Sequence, residues 1–438
     1  MTAQPIPLPR LVRFWLPLEA TWLMMAVEGP FLAAVIARLA EPKLNLAAYG
    51  VAFAAAIIVE SPVIMMMSAA TAVVDARPGY LALRRFAIAL NALITAAMLA
   101  LLASGAMGWA LRRLLQLDPE VAALTQRALW VLLPWPAAIG YRRFYQGILI
   151  RAGLTRRVAW GTAMRLTAMA TGALAARAGG LPGAVVGAVA LAGGVCAEAL
   201  ASRLMARGAV RRLAARSAAP QATDLSWRGL TAFYWPLALT STISLAVHPL
   251  VTFFMGHAAR PLDSLATLPV LNALVFVFRT PALSYQEVAI AMLGEGPHNR
   301  RPVLTFAGLL ALTATLAFVA VAWTPLAGLW FGTVSGLPPE LVSLARGPLR
   351  ILSLMPTLSV LLNLERALLV HGRATGPVTT ASALEVAGIA GVLAVGVLGL
   401  GAVGVVAAAV AYLVGRLAAN IHLARPARAV LERPTPRT

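Results

Sequence analysis

The chain has 438 residues, of which 60% are hydrophobic and only 12% charged, and its net charge is +20. A domain folded in water needs a larger polar share to cover its surface, so a soluble enzyme is excluded and lipid is the expected solvent. The positive charge reads as a membrane-topology signal and excludes a nucleic-acid binder, because the arginines gather in short loops at alternate helix ends with no interleaved aromatics.

Twelve apolar stretches are each long enough to cross a hydrocarbon core, which is about 30 Å thick. They are predicted as helices, since a helix satisfies its own backbone hydrogen bonds in lipid. In chain order they fall near 12–38, 46–74, 84–111, 121–150, 157–178 and 183–206, then 231–256, 265–293, 303–331, 341–370, 377–399 and 401–424. The residues before the first stretch carry no signal-peptide pattern, so that stretch is expected to remain as a helix. Arg10, Arg13, Arg77, Arg84, Arg85, Arg156, Arg157, Arg300 and Arg301 share one side, against few basic residues such as Arg38, Lys43 and Arg112 on the other. This bias predicts a multi-pass protein of the inner (cytoplasmic) membrane with both termini cytoplasmic. Cys196 is the only cysteine, which excludes an internal disulfide and a cysteine metal cluster.

The chain repeats itself. Phe14-Trp15-Leu16-Pro17-Leu18 with Thr21 and Pro30 recurs as Phe233-Tyr234-Trp235-Pro236-Leu237 with Thr240 and Pro249, the prolines standing 219 residues apart. Ser61-Pro62 matches Thr280-Pro281 at the same offset, Pro119-Glu120 matches Pro339-Glu340 at 220, and Gly183-Ala184-Val185 matches Gly401-Ala402-Val403 at 218. The expected fold is therefore an all-α membrane protein of about twelve helices, arranged as two six-helix bundles related by a pseudo-two-fold axis along the membrane normal. The expected divisions are an N-terminal lobe at 1–210, an arginine-rich cytoplasmic linker at 211–228 and a C-terminal lobe at 229–438.

Two classes of residue inside these helices point to function. Proline frees a backbone carbonyl and bends a helix, so the matched pairs Pro30 with Pro249 and Pro62 with Pro281 are expected as kinks beside a transport site, or as features that only set lobe shape. Ionised side chains in lipid cost at least about 2.5 kcal/mol on insertion scales. The repeat places Glu60 opposite Arg279 and Glu198 opposite Arg416. Each pair is expected to close the cleft between lobes and to exchange for a substrate anion, unless its members pair inside their own lobe or snorkel to a helix end. Glu28 beside Gly29-Pro30 is the first candidate for taking up a coupling ion, H+ or Na+, with His248 beside Pro249 the second. Arg142, Arg143 and Glu19 are expected near helix ends, snorkelling. The glycine-rich runs 179–194 and 388–404 read as close helix packing.

No His-Glu-x-x-His, Gly-x-Ser-x-Gly, Walker A or Cys-x-x-Cys pattern occurs, so the chain is not expected to be an enzyme or to couple to ATP directly, and no cofactor is expected.

At Leu46-Ala47-Ala48-Tyr49-Gly50-Val51, Phe233 to Thr240, Pro281 with Glu287, and Pro348-Leu349-Arg350-Ile351-Leu352-Ser353 with Pro356, the sequence resembles the progressive ankylosis protein family. That family lies within the superfamily of multidrug and toxic compound extrusion (MATE) proteins and polysaccharide or lipid flippases. The resemblance implies a V-shaped transporter alternating between inward- and outward-open states, and export of anions such as citrate, pyrophosphate or nucleotides. It gives Glu287 and Arg350 the places of an acidic and a basic family position. The expected function is thus secondary active export of a small organic or phosphorylated anion by rocking of the lobes, as a monomer with membrane lipids and a small-molecule substrate as its partners. A MATE-type multidrug exporter and a lipid-linked precursor flippase are the alternatives.

Overall fold

The structure is a computed structural model, and it describes residues 6–432 apart from 75, 215–224, 295–296, 373 and 375. Most of the arginine-rich linker, including Ser217 to Pro220, therefore lies outside the described residues.

The described residues form α1 (Leu8–Ala37), α2 (Pro42–Thr71), α3 (Arg77–Ala103), α4 (119–151), α5 (Thr155–Ala178), α6 (Gly183–Met205), α7 (Trp227–Gly256), α8 (Pro261–Leu293), α9 (Arg300–Trp323), α10 (Pro339–His371), α11 (Gly376–Gly399) and α12 (Gly404–Glu432). Ten of them are long and apolar enough to cross a membrane. The other two, α4 and α5, carry Arg142, Arg143 and Arg165, whose partners are described below. The protein is a multi-pass, all-α membrane protein.

Local sequence explains where the helices begin. Asp118 accepts from the Glu120 backbone N–H at 2.9 Å to cap α4, and Ser226 accepts from Gly229 at 3.1 Å to cap α7. Asn45 ties two elements together: its Oδ1 accepts from the Ala184 N–H at the start of α6, and its amide donates to the Ala40 and Glu41 carbonyls. The repeat extends to backbone conformation. Glu41 and Arg260, 219 residues apart, both take left-handed φ values near 50° before the proline that opens the next helix.

Three of the four expected prolines stand at helix interruptions. α1 breaks after Ala26 and resumes at Glu28, two residues before Pro30, while α7 breaks after Leu245 and resumes at Val247, two before Pro249. Pro62 lies in a 3-10 turn, Ser61–Val63, that divides α2. At Pro281, by contrast, the helix is not interrupted: α8 continues from Pro261 to Gly294 with the proline inside it. The Val277 carbonyl, which Pro281 leaves without its helical donor, lies 2.8 Å from the Thr280 hydroxyl, whose single hydrogen is shared between that oxygen and Glu19.

Packing divides the chain into two compact units, which differ from the expected halves 1–210 and 229–438. The central unit is Val35–Gly256, and the bipartite unit joins Met1–Ala34 to His257–Thr438. Thus α7 belongs with α2 to α6, and most of α1 belongs with α8 to α12. Within the central unit the broken segment of α2 is fastened to α7: Tyr234 Oη donates to the Pro62 carbonyl at 2.5 Å, Ser241 to the Ser61 carbonyl at 2.7 Å, and Ser61 and Thr242 share a hydrogen bond at 2.9 Å. Within the bipartite unit Glu19 of α1 accepts from Thr280 and Ser284 of α8 at 2.8 and 2.7 Å, and Trp15 donates to Ser284 at 2.7 Å. Glu19 is buried there and does not snorkel.

Small residues allow this packing, as the glycine-rich runs suggested. A Cβ at Gly187 of α6 would meet Tyr49 at 2.7 Å and Ile36 at 2.8 Å, and one at Gly388 would sit 3.4 Å from the Gly415 Cα.

Candidate functional site

Each unit holds one cluster of charged side chains among its helices. In the central unit Glu198 of α6 is 1% exposed and forms ion pairs with Arg142 of α4 and, at 3.4 Å, with Arg165 of α5. Gln146, one turn after Arg142 on the same face of α4, donates to the other Glu198 oxygen at 3.0 Å. Glu60, at the end of the first segment of α2, is 7% exposed, and its Oε2 has no hydrogen-bond partner. Arg142, Arg143 and Arg165 are its electrostatic neighbours. Arg142 is thus buried at the centre of the cluster, where snorkelling was expected; a carboxylate on a neighbouring helix offers it what the interface would otherwise provide.

The second cluster lies in the bipartite unit. Arg416 of α12 donates to one oxygen of Glu385 on α11 through Nε at 2.9 Å and Nη2 at 2.8 Å. Arg279 of α8 has Arg416, Glu385, Tyr412 and Arg366 as its electrostatic neighbours, and its Nε is buried with no hydrogen-bond partner. Arg366 of α10 reaches Ser382 Oγ at 3.3 Å through Nη2, and its Nε likewise has no partner. Tyr412 hydrogen-bonds Asn272.

Glu198 and Arg416 each form their ion pairs inside their own unit, which is the within-lobe alternative and not the pairing with one another that the repeat suggested. The physical reason is that α5 and α11 each supply an opposite charge on the adjacent helix: Arg165 for Glu198, Glu385 for Arg416. These two pairs are themselves repeat equivalents with the signs exchanged, Arg165 and Glu385 standing 220 residues apart and Glu198 and Arg416 218 apart. Glu60 and Arg279 belong to the same scheme, as do Gln146 and Arg366 at 220. The cluster of the central unit has three arginines to two carboxylates, and that of the bipartite unit has three arginines to one.

The remaining candidates lie apart from these clusters. Glu28 opens the second segment of α1 and is half-buried, and His248 stands second in the matching segment of α7, edge-on to Phe53 at 6.5 Å between ring centres. Glu287 is exposed on α8. Arg350 is exposed and stacks over Trp323 at 5.1 Å, with its Nε 3.4 Å from the Ala322 carbonyl. Glu365 of α10 is buried, with its Oε2 unpartnered. Sequence reasoning gave no role to Arg165; the signal that could have found it is its repeat equivalence to Glu385. Among the described residues no group of three or more His, Cys, Asp or Glu could hold a metal ion.

No protein-family model matches the chain, and no curated protein matches it. Solved structures do. A multidrug-resistance MATE family transporter of the MOP superfamily in its inward-facing conformation superposes with a TM-score of 0.71 at 15% identity, over 96% of this chain and 98% of that one. The lipid II flippase MurJ in an inward closed conformation gives 0.68 at 13% identity, over 92% of this chain and 86% of that one. A MOP superfamily transporter from Pyrococcus furiosus, described as having a binding pocket of reversed polarity, gives 0.66 at 16% identity, over 97% and 96% of the two chains. The chain has the MATE-like fold over nearly its whole length.

Proposed function

We propose that the protein is a secondary active transporter that exports a small organic or phosphorylated anion by alternating access. The observation that carries this reading is the excess of guanidinium over carboxylate within the two charged clusters, from which Glu19 and Glu365 lie apart: three arginines against two carboxylates in the central unit's cluster and three against one in the bipartite unit's. Arginine in lipid is costly and marks substrate or ion pathways, and a cationic drug would instead call for an acidic interior. The fold is known in inward-facing and outward-facing forms of MATE family transporters, which supports a rocking cycle. In one structural neighbour, a MOP superfamily transporter, the reversed polarity of the binding pocket is described as suggesting a different function, which accords with a cargo other than a cationic drug here. The finer reading is a progressive ankylosis-like exporter of the inner membrane, monomeric, with both termini cytoplasmic and driven by H+ or Na+.

A second reading is a lipid-linked precursor flippase. The likeness to a lipid II flippase favours it, and the same guanidinium groups would suit a lipid-linked phosphate.

Proteoliposome flux separates these readings. Uptake of labelled citrate, pyrophosphate or ATP above empty vesicles, stimulated by an imposed proton or sodium gradient, is the expected result. Transport of a cationic dye, or of a lipid-linked phosphate alone, with no anion flux would overturn the anion reading and leave the fold as it is.

A further inference from the structure

We propose that Arg279, Arg366 and Arg416 in the bipartite unit form a binding subsite for a small oxyanion bearing two negative charges, with Glu385 acting as an internal competitor for Arg416. The proposal rests on the anion-transporter reading and names where in the chain the anion is held.

Four helices bring the cluster together: Arg279 on α8, Arg366 on α10, Glu385 on α11 and Arg416 on α12. Three guanidinium groups facing one carboxylate leave two positive charges uncompensated. Two of the three also have unused hydrogen-bonding capacity, since Nε of Arg279 and Nε of Arg366 are buried without a partner. Buried donors of this kind are rare because leaving one unmade forfeits a charge-assisted hydrogen bond. The site is not sealed: Arg279, Arg366, Glu385, Tyr412 and Asn272 are all half-buried. Tyr412 and Asn272, already hydrogen-bonded to each other, add neutral polar groups beside Arg279. Guanidinium forks suit the paired oxygens of carboxylate and phosphate alike, so the shared chemistry is the oxyanion, and its source is left to the probes.

Comparison with the other unit shows what a self-sufficient version looks like. There the repeat positions hold Glu60, Gln146 and Glu198 in place of the three arginines, and Arg165 in place of Glu385. Glu198 receives Arg142, Gln146 and Arg165 together. The positions matching Arg142 and Arg143 at the α4-to-α10 offset of 220 are Leu362 and Asn363, so the bipartite unit has no compensating charge of the opposite sign there. What the cluster lacks is an anion. Glu385 holds Arg416 through two nitrogens and one oxygen, and an incoming anion competes for that fork.

The test is binding of inorganic pyrophosphate and of citrate to the purified full chain in lipid nanodiscs, by calorimetry and by the rise in Tm. Arg279→Gln and Arg366→Gln are expected to weaken binding by roughly ten- to a hundredfold, and Arg366→Lys to restore part of it. Glu385→Gln is expected to tighten binding several-fold, and to gain more in Tm from pyrophosphate than the wild type does. Arg425→Gln, exposed further along α12, should leave binding as it is. Because Glu385→Gln predicts a gain, misfolding of an arginine variant cannot imitate the result. Wild-type binding that Arg279→Gln and Arg366→Gln leave within twofold, or that Glu385→Gln weakens, would overturn the subsite while leaving anion transport standing. Absence of both binding and flux in the wild type would overturn the anion reading and the subsite with it.

Discussion

Glu385 receives Arg416 through two guanidinium nitrogens on a single oxygen, at 2.8 and 2.9 Å, joining α11 to α12. Reversing either charge alone places two like charges side by side in a poorly solvated setting. Glu385→Arg and Arg416→Glu are each expected to lower the Tm strongly, since breaking a buried pair costs about 3–5 kcal/mol. The double exchange should recover most of that loss in a detergent thermal-shift assay. Failure of the double variant to exceed the singles would show that the pair does not hold α11 to α12.

The Glu198 triad should behave differently toward stability and toward transport. Glu198→Gln leaves Arg142 and Arg165 without their shared carboxylate and is expected to destabilise by about 3–5 kcal/mol. Replacing all three with apolar residues, as Arg142→Met with Arg165→Met and Glu198→Leu, is expected to fold at least as well as Glu198→Gln, because apolar packing often matches a buried ion network. Thermal melts compare stability, and anion flux in proteoliposomes shows whether the triad also serves transport.

Gly147 of α4 touches α2 so closely that a Cβ there would lie 2.5 Å from the Met67 carbonyl and 2.7 Å from the Ala70 Cβ. Gly147→Ala must push α4 away, at an expected cost of about 1–3 kcal/mol, and it displaces the neighbouring Gln146 from Glu198. Gly193, with nothing within 4 Å of its Cβ position, should accept alanine with no loss of Tm.

The helix positions were legible because the duplication is written in short motifs that survive at a nearly constant offset. Pro30, Pro62 and Pro249, in the steps Gly29-Pro30, Ser61-Pro62 and His248-Pro249, mark the interruptions of α1, α2 and α7 in the sequence itself. The exchange of α1 and α7 between units was not legible, because hydrophobic pattern records that a helix is buried and not which neighbour buries it. The same blindness hid Arg142. Its distance from a helix end suggested snorkelling, and only the crossing of α4 with α6 brings it to Glu198. Thr280 and Ser284 did carry a readable signal, two hydroxyls one turn apart on α8, but nothing in the sequence named Glu19 as their acceptor.

Tyr234 and Ser241 hold the carbonyls of Ser61 and Pro62, where α2 loses regular helix. Tyr234→Phe keeps the ring against Phe86, 5.3 Å between centres, and removes one hydrogen bond, with an expected cost of about 0.5–1.5 kcal/mol. Adding Ser241→Ala should increase the loss and speed hydrogen exchange across residues 61–66 measured by mass spectrometry. Unchanged exchange there would show that α7 does not restrain the break.

The division of the chain between units also constrains how the protein is made. Val35–Gly256 is continuous and can assemble as soon as it has been synthesised, whereas the first helix belongs to a unit whose other members begin at His257. The opening segment must therefore enter the membrane and wait, its buried face uncovered, while more than two hundred residues follow it out of the ribosome. Cutting the gene at the arginine-rich connection would not yield two independent halves. Each fragment would carry a helix whose partners are encoded on the other, so the two should become stable only when produced together.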